Sequence, residues 1–153
     1  MDRVNRMLCN DTRNGSFMTM LVIAVDRENE TIGWSSAGHN PAIVYDPTTD
    51  SFSELCGTGI PLGIDADFAY EEFEQPLPPI GSIIVLGTDG IWETFNDARE
   101  LYGMDRFYEV IRRSAGSTCE QIVQAVLADV ARFRGSAPRT DDVTIAVLKR
   151  TID

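Results

Sequence analysis

Apolar and polar positions alternate through the first half of the chain, and then the period lengthens. FMTMLVIAVD (17–26), TIGWSSA (31–37) and AIVYD (42–46) read as strands separated by the turn-rich DRENE and GHNP, the spacing of an antiparallel meander. FSEL adds a further hairpin arm. FAYEEFEQ alternates Phe68, Tyr70 and Phe73 with acids, as an edge or outer strand with one wet face does. SIIVLG is apolar at nearly every position, which predicts a central strand buried on both faces. Helical spacing takes over with Phe107, Val110 and Ile111, predicting a helix over Met104–Ser114. Ser117 to Glu120 form an S-x-x-E capping box before a long helix whose apolar face holds Ile122, Val123, Val126, Leu127 and Val130. Gly135 and Pro138 end that helix, and VTIAVLK supplies a closing strand. At the start, residues 2–10 place Val4, Met7 and Leu8 on one helical face before NDTRNGS breaks it. No internal repeat, low-complexity tract or linker interrupts the pattern, so residues 1–153 are expected to form one domain.

Composition narrows the picture. A chain of 153 residues can bury roughly 70% of its unfolded surface, and 43% hydrophobic residues is ordinary for a globular domain. Thirteen basic against 24 acidic residues give a formal charge of −11, which repels nucleic acid and anionic membrane surfaces. No run approaches the length of a membrane span, and MDRVNRMLCN has neither the basic patch nor the apolar core of a signal peptide, so a cytoplasmic protein is expected. Cys9, Cys56 and Cys119 are too few and too dispersed for a disulfide framework or a zinc knuckle; buried or half-buried free thiols are expected.

The chemistry concentrates where apolar strands meet acids. IIVLG runs into Thr88-Asp89-Gly90, and Asp141-Asp142 open the closing strand. Taken alone, Asp-Gly is first of all a turn pair and two acids before a strand are first of all loop residues. Together, carboxylates at the mouths of two central strands would lose hydration unless a cation offset their charge, and a hard divalent ion with oxygen ligands would do so. His39, the single histidine, lies in SSAGHNPAIVY without an elbow or partner acid for catalysis, and reads first as a turn residue hydrogen-bonded to backbone. GTGIPLG (57–63) has no following lysine or helix, so it is a backbone-shaping loop rather than a phosphate cradle.

In order along the chain, FMTMLVIAVD, WSSAGHNPAIVY, GTGIPLGI, PPIGS, IIVLGTDGIWETFN, LYGMDRF and TDDVTIAVLKR resemble the C-terminal two-thirds of the metal-dependent PPM-type serine/threonine phosphatases. The branch they are most similar to is the bacterial sporulation-stage-II-E and sigma-regulator group. The resemblance implies an α+β fold, a sandwich of mostly antiparallel β-sheets flanked by helices. It also implies removal of phosphate from phosphoserine or phosphothreonine by metal-activated water, with two Mn2+ or Mg2+ ions in the complete domain. Asp89 and Asp141 match metal ligands; Gly90, Asp142 and His39 match supporting positions. The implied substrate is a phosphorylated regulatory protein such as an anti-sigma-factor antagonist. One departure matters: the family's DVSGHG-like segment, which carries its bridging aspartate, has no counterpart here. The expectation is therefore a partial phosphatase domain, truncated at its N-terminus, inactive alone and prone to self-association. The alternative is a pseudo-phosphatase that binds a protein partner without turnover.

Overall fold

The computed structural model describes residues 1–11 and 16–152. Along the chain run α1 (Asp2–Asp11), β1 (Met20–Asp26), β2 (Thr31–Ala37), β3 (Ala42–Asp46), β4 (Ser51–Leu55), β5 (Phe73–Pro76), β6 (Ile83–Gly87), α2 (Gly103–Ser114), α3 (Cys119–Arg134) and β7 (Ile145–Lys149). They fall into two compact units, Met1–Pro41 with Leu55–Leu77, and Ala42–Glu54 with Pro78–Asp153. Antiparallel sheets and helices make up both, as the α+β expectation requires. Among the described residues no helix is long and apolar enough to cross a membrane.

The first unit is built on a three-stranded antiparallel sheet in the order β1-β2-β5. β1 and β2 pair from Met20↔Ala37 to Asp26↔Thr31. Asp26 closes their turn by accepting the N–H groups of Glu28 and Asn29, each at 2.9 Å. β5 joins β2 with Phe73 opposite Trp34, and the two rings stack at 5.6 Å. The Trp34 indole N–H donates to the Cys56 carbonyl at 2.7 Å. A small core of Ala37, Leu62 and Tyr70 takes Leu8 of α1, Met20 and Phe68 against it.

Several expectations change in this unit. The strand period of FAYEEFEQ holds only from Phe73 onward, because Phe68 and Tyr70 leave the sheet to pack edge to face at 4.9 Å in the small core. The helical face of Val4 and Met7 is exposed, and the residue of α1 that is fully buried is Asn5. A buried amide needs partners. Asn5 has them, donating to the Asp65 carbonyl at 2.7 Å and accepting the Gly63 N–H at 2.9 Å. α1 is thus fastened to the loop by polar side chains as well as by Leu8, a pattern that hydrophobic periodicity does not register. The predicted break at NDTRNGS includes residues 12–15, which lie outside the described residues. Cys56 is exposed rather than buried, while Cys9 and Cys119 are half-buried, and all three are free thiols.

The second unit carries a four-stranded antiparallel sheet in the order β4-β3-β6-β7. The expected meander therefore breaks at GHNP: β2 and β3 belong to different sheets, and β3 pairs with β6 instead. β6 is central as its composition predicts, with Ile83, Ile84 and Val85 all buried. β7 pairs with β6 from Ile83↔Lys149 to Gly87↔Ile145 and is the outermost strand, so only one of the two acid-bearing strands is central. Ile43, Tyr45, Ile83 and Val85 from the sheet pack with Phe107, Val110 and Ile111 of α2 and Ile122, Val126 and Val130 of α3. Val123 and Leu127 of the predicted apolar face are only half-buried. The helix pair is locked by buried Asp129, which accepts from the Tyr102 hydroxyl at 2.8 Å, from Arg113 at 2.6 Å and from Arg132. The capping box of α3 forms one residue later than expected. Thr118 accepts the Gln121 N–H, and the Gln121 side chain accepts the Thr118 N–H.

Candidate metal centre

β6 delivers its last residue, Gly87, directly into Thr88, Asp89 and Gly90. There the chain folds over, with the Ile91 N–H donating to the Thr88 carbonyl at 3.1 Å and the Glu93 N–H to the Asp89 carbonyl at 2.8 Å. The Thr94 hydroxyl, buried, caps the turn by donating to the Gly90 carbonyl at 2.6 Å. The segment leading into β7 lies against this turn. Thr88 donates its main-chain N–H to the Thr144 carbonyl at 3.1 Å and its hydroxyl to the Asp142 carbonyl at 3.1 Å.

Gly90 sets how closely the two segments approach. A Cβ built there would lie 2.3 Å from the Asp142 carbonyl oxygen, a separation that real atoms do not reach. The glycine is required for the backbone beside it. Its φ is not among the positive ones, so its role is one of close approach.

The structure thus brings Asp89, Gly90, Asp141 and Asp142 into one region of the second unit. Asp89 is half-buried at the turn, while Asp141 and Asp142 are exposed at the entry to β7. The Asp142 N–H donates to Asp141 Oδ1 at 2.7 Å, which orients that carboxylate. Elsewhere in the same unit, Asp97 accepts both the Ser136 N–H, at 3.1 Å, and the Ser136 hydroxyl, at 2.7 Å. Those bonds, the hydroxyl's first, hold the Asp97 carboxyl below its ordinary range. The sequence alone does not mark Thr88 as a site residue. It stands inside the Thr-Asp-Gly triplet, while the Asp97–Ser136 pair spans 39 residues with no periodic signal.

Exposed Asp141 and Asp142 at an outer strand keep their water, so desolvation does not demand a cation there. The donor chemistry still fits a hard divalent ion, since the two segments offer aspartate oxygens. It is a partial set, because among the described residues no group of three or more histidine, cysteine, aspartate or glutamate side chains is placed to hold a metal.

His39 belongs to the first unit. Its Nδ1 pairs with the Thr19 hydroxyl at 3.2 Å, so the ring's partner is a side chain rather than the expected backbone. The His39 carbonyl accepts from the Ser36 hydroxyl at 3.2 Å. Gly57 and Gly59 of GTGIPLG serve close approach to Ser36 of β2. A Cβ at Gly59 would lie 2.0 Å from the Ser36 carbonyl oxygen, and the Gly38 N–H donates to the Gly59 carbonyl at 2.7 Å.

Antiparallel sheets with three helices match the fold of PP2C-type phosphatase domains. The SiaA-PP2C domain of Pseudomonas aeruginosa matches it with a TM-score of 0.79 at 25% identity, over 97% of this chain and 57% of that one. The manganese-presoaked phosphatase domain of the cell fate determinant SpoIIE from Bacillus subtilis matches with a TM-score of 0.62 at 19% identity, over 88% of this chain and 57% of that one. More specifically, the chain belongs to the Stage II sporulation protein E (SpoIIE) family, whose model matches residues 1–151. It is also 27% identical over 149 residues to the phosphoserine phosphatase RsbU of Bacillus subtilis (strain 168), covering 97% of this chain and 44% of RsbU. The chain therefore spans less than half of RsbU and just over half of each of the two solved domains.

Proposed function

We propose that this chain carries part of the catalytic centre of a metal-dependent protein serine/threonine phosphatase, with Asp89 and Asp141 as metal ligands. The observation that carries the proposal is the seating of the Asp89 turn against the Asp141-Asp142 segment across Gly90, a fit that any side chain at that position would spoil. Membership of the SpoIIE family and similarity to a phosphoserine phosphatase support it. Bound Mn2+ or Mg2+, two ions in a complete site, would supply Lewis-acid charge and lower the pKa of an attacking water. The protein's own residues hold and orient. Asp89 and Asp141 present oxygens, Gly90 admits the facing backbone, the Asp142 main chain steadies Asp141, and His39 shapes a loop in the other unit. The substrate class is a phosphoserine- or phosphothreonine-bearing regulatory protein, an anti-sigma-factor antagonist being the one that the sequence resemblance implies. Nucleic acid is disfavoured as a partner by the charge of −11.

The partial ligand set favours a second reading for these 153 residues by themselves, a protein-binding module without turnover. The two are separated by manganese-dependent phosphate release from a phosphoprotein. The isolated chain is expected to be nearly inert, because two carboxylates hold at most one weak ion. In the full-length gene product, Asp89→Asn and Asp141→Asn should each remove most activity while Asp142→Asn is milder, since Asp142 acts through its main chain. Full activity in the Asp89 and Asp141 variants would overturn the phosphatase assignment of these residues.

A further inference from the structure

The two acid-bearing segments are joined by contacts that neither proposed ligand makes. The Thr88 hydroxyl acts twice, donating to the Asp142 carbonyl at 3.1 Å and accepting the Thr144 N–H at 3.0 Å. Its main-chain N–H adds the bond to the Thr144 carbonyl at 3.1 Å. Thr88 thus grips the chain on both sides of Val143. Asp142, held by its carbonyl, in turn uses its N–H to hold Asp141 Oδ1 at 2.7 Å. A relay of two hydrogen bonds therefore runs from the residue before Asp89 to the Asp141 carboxylate.

We infer that Thr88 is a positioning residue of the candidate metal centre: through the Asp142 backbone it sets where the Asp141 carboxylate stands relative to Asp89 before any cation arrives. The inference rests on the metal-ligand assignment proposed above. It requires a hydroxyl specifically, because only a group that both donates and accepts can serve the Asp142 carbonyl and the Thr144 N–H together. Valine has nearly the shape of threonine and can do neither; serine can do both.

The test is Mn2+ binding to the 153-residue chain, followed by the loss of the free-ion electron paramagnetic resonance signal up to millimolar Mn2+, with circular dichroism melts of each variant. Thr88→Val is expected to weaken binding by about tenfold or more, the usual scale for a lost outer contact. Thr88→Ser should restore binding to near the wild-type value, and Asp141→Asn should weaken it as well. Thr88→Ala is the second hydroxyl-free variant should the valine protein not fold. Wild-type affinity in folded Thr88→Val, with Asp141→Asn weakened, would overturn the positioning role and leave the ligand assignment standing. Equal weakening in the serine and valine variants would assign the effect to packing of the methyl group and overturn it too. Binding indifferent to both Asp89→Asn and Asp141→Asn, or no binding by the wild type, would overturn the ligand assignment in this chain and the inference with it.

Discussion

A methyl group at position 90 would have to displace the Asp142 carbonyl or the turn that carries Asp89, since 2.3 Å is far inside contact distance. Gly90 is buried, and the two atoms nearest its hypothetical Cβ are main chain, which yields less readily than a side chain. Gly90→Ala is therefore expected to destabilise by about 1–3 kcal/mol, the range for overpacking, read as a lowered midpoint in urea. Gly116 offers a control in the same unit: nothing lies within 4 Å of its hypothetical Cβ. Gly116→Ala should leave the midpoint nearly unmoved. Equal losses at both positions would mean that close approach is not what Gly90 provides.

Among the elements, α3 shows both what sequence reveals and where it stops. Its length and the burial of Ile122, Val126 and Val130 follow from apolar residues at helical spacing. Its first turn does not follow uniquely, because Ser117-x-x-Glu120 and Thr118-x-x-Gln121 both satisfy the capping pattern in overlapping frames. The structure selects the second, with Thr118 in an extended conformation at ψ 160. Thr118→Ala should cost about 1 kcal/mol, and Ser117→Ala distinctly less, in thermal or urea melts. At the other end of the helix, the Asp97–Ser136 bonds depress the Asp97 pKa. A depressed carboxyl stabilises the fold above its unfolded value, near 3.8, and loses that contribution as pH falls through the lower folded value. The difference in melting temperature between wild type and Asp97→Ala should accordingly be largest near neutrality and shrink below about pH 3.8, to be checked by melts from pH 7 to pH 2.5. The strands were legible for a related reason. β2, β3, β4 and β6 are bounded by strong turn residues, whereas β5 begins inside a continuous alternation whose first half is used for loop packing around Tyr70. Partner choice between strands, and hence the outer place of β7, is not encoded in any local period. The acids of the candidate site were visible as residue types, but the polar contacts that align them connect positions more than 50 apart and emerge only from the fold.

For the whole molecule, the charge of −11 and the exposed strand edges act in opposite directions. β1 is the outermost strand of its sheet, and its Val22 and Val25 are 48% and 44% exposed. Unpaired edge groups beside apolar side chains invite pairing with a second chain. Charge repulsion between copies is screened over about 8–10 Å at physiological ionic strength, while strand pairing acts at contact. The isolated chain is expected to self-associate, more strongly as salt rises, with light scattering across a hundredfold dilution as the measurement. A monomer at every concentration and salt would show that the edge is protected by its own sequence.

The two tryptophans are divided between the two units, Trp34 stacked on Phe73 in the first and Trp92 beside Phe107 in the second, with ring centroids 5.8 Å apart. Replacing either with phenylalanine leaves a chain with a single indole fluorophore whose emission reports on one unit alone. The Trp92 reporter sits three residues beyond Asp89, so Mn2+ bound at the proposed site would be expected to quench its emission. Heating supplies a second use. The core around Trp92 gathers buried residues from a sheet and two helices, whereas the core of Trp34's unit has a small cluster of Ala37, Leu62 and Tyr70. The emission of the Trp92→Phe protein, which follows Trp34, should therefore shift at a lower temperature than that of the Trp34→Phe protein. Coincident shifts would make the molecule a single cooperative block, and the pair of spectra would then measure how firmly the unit that carries Asp89 depends on the other for its stability.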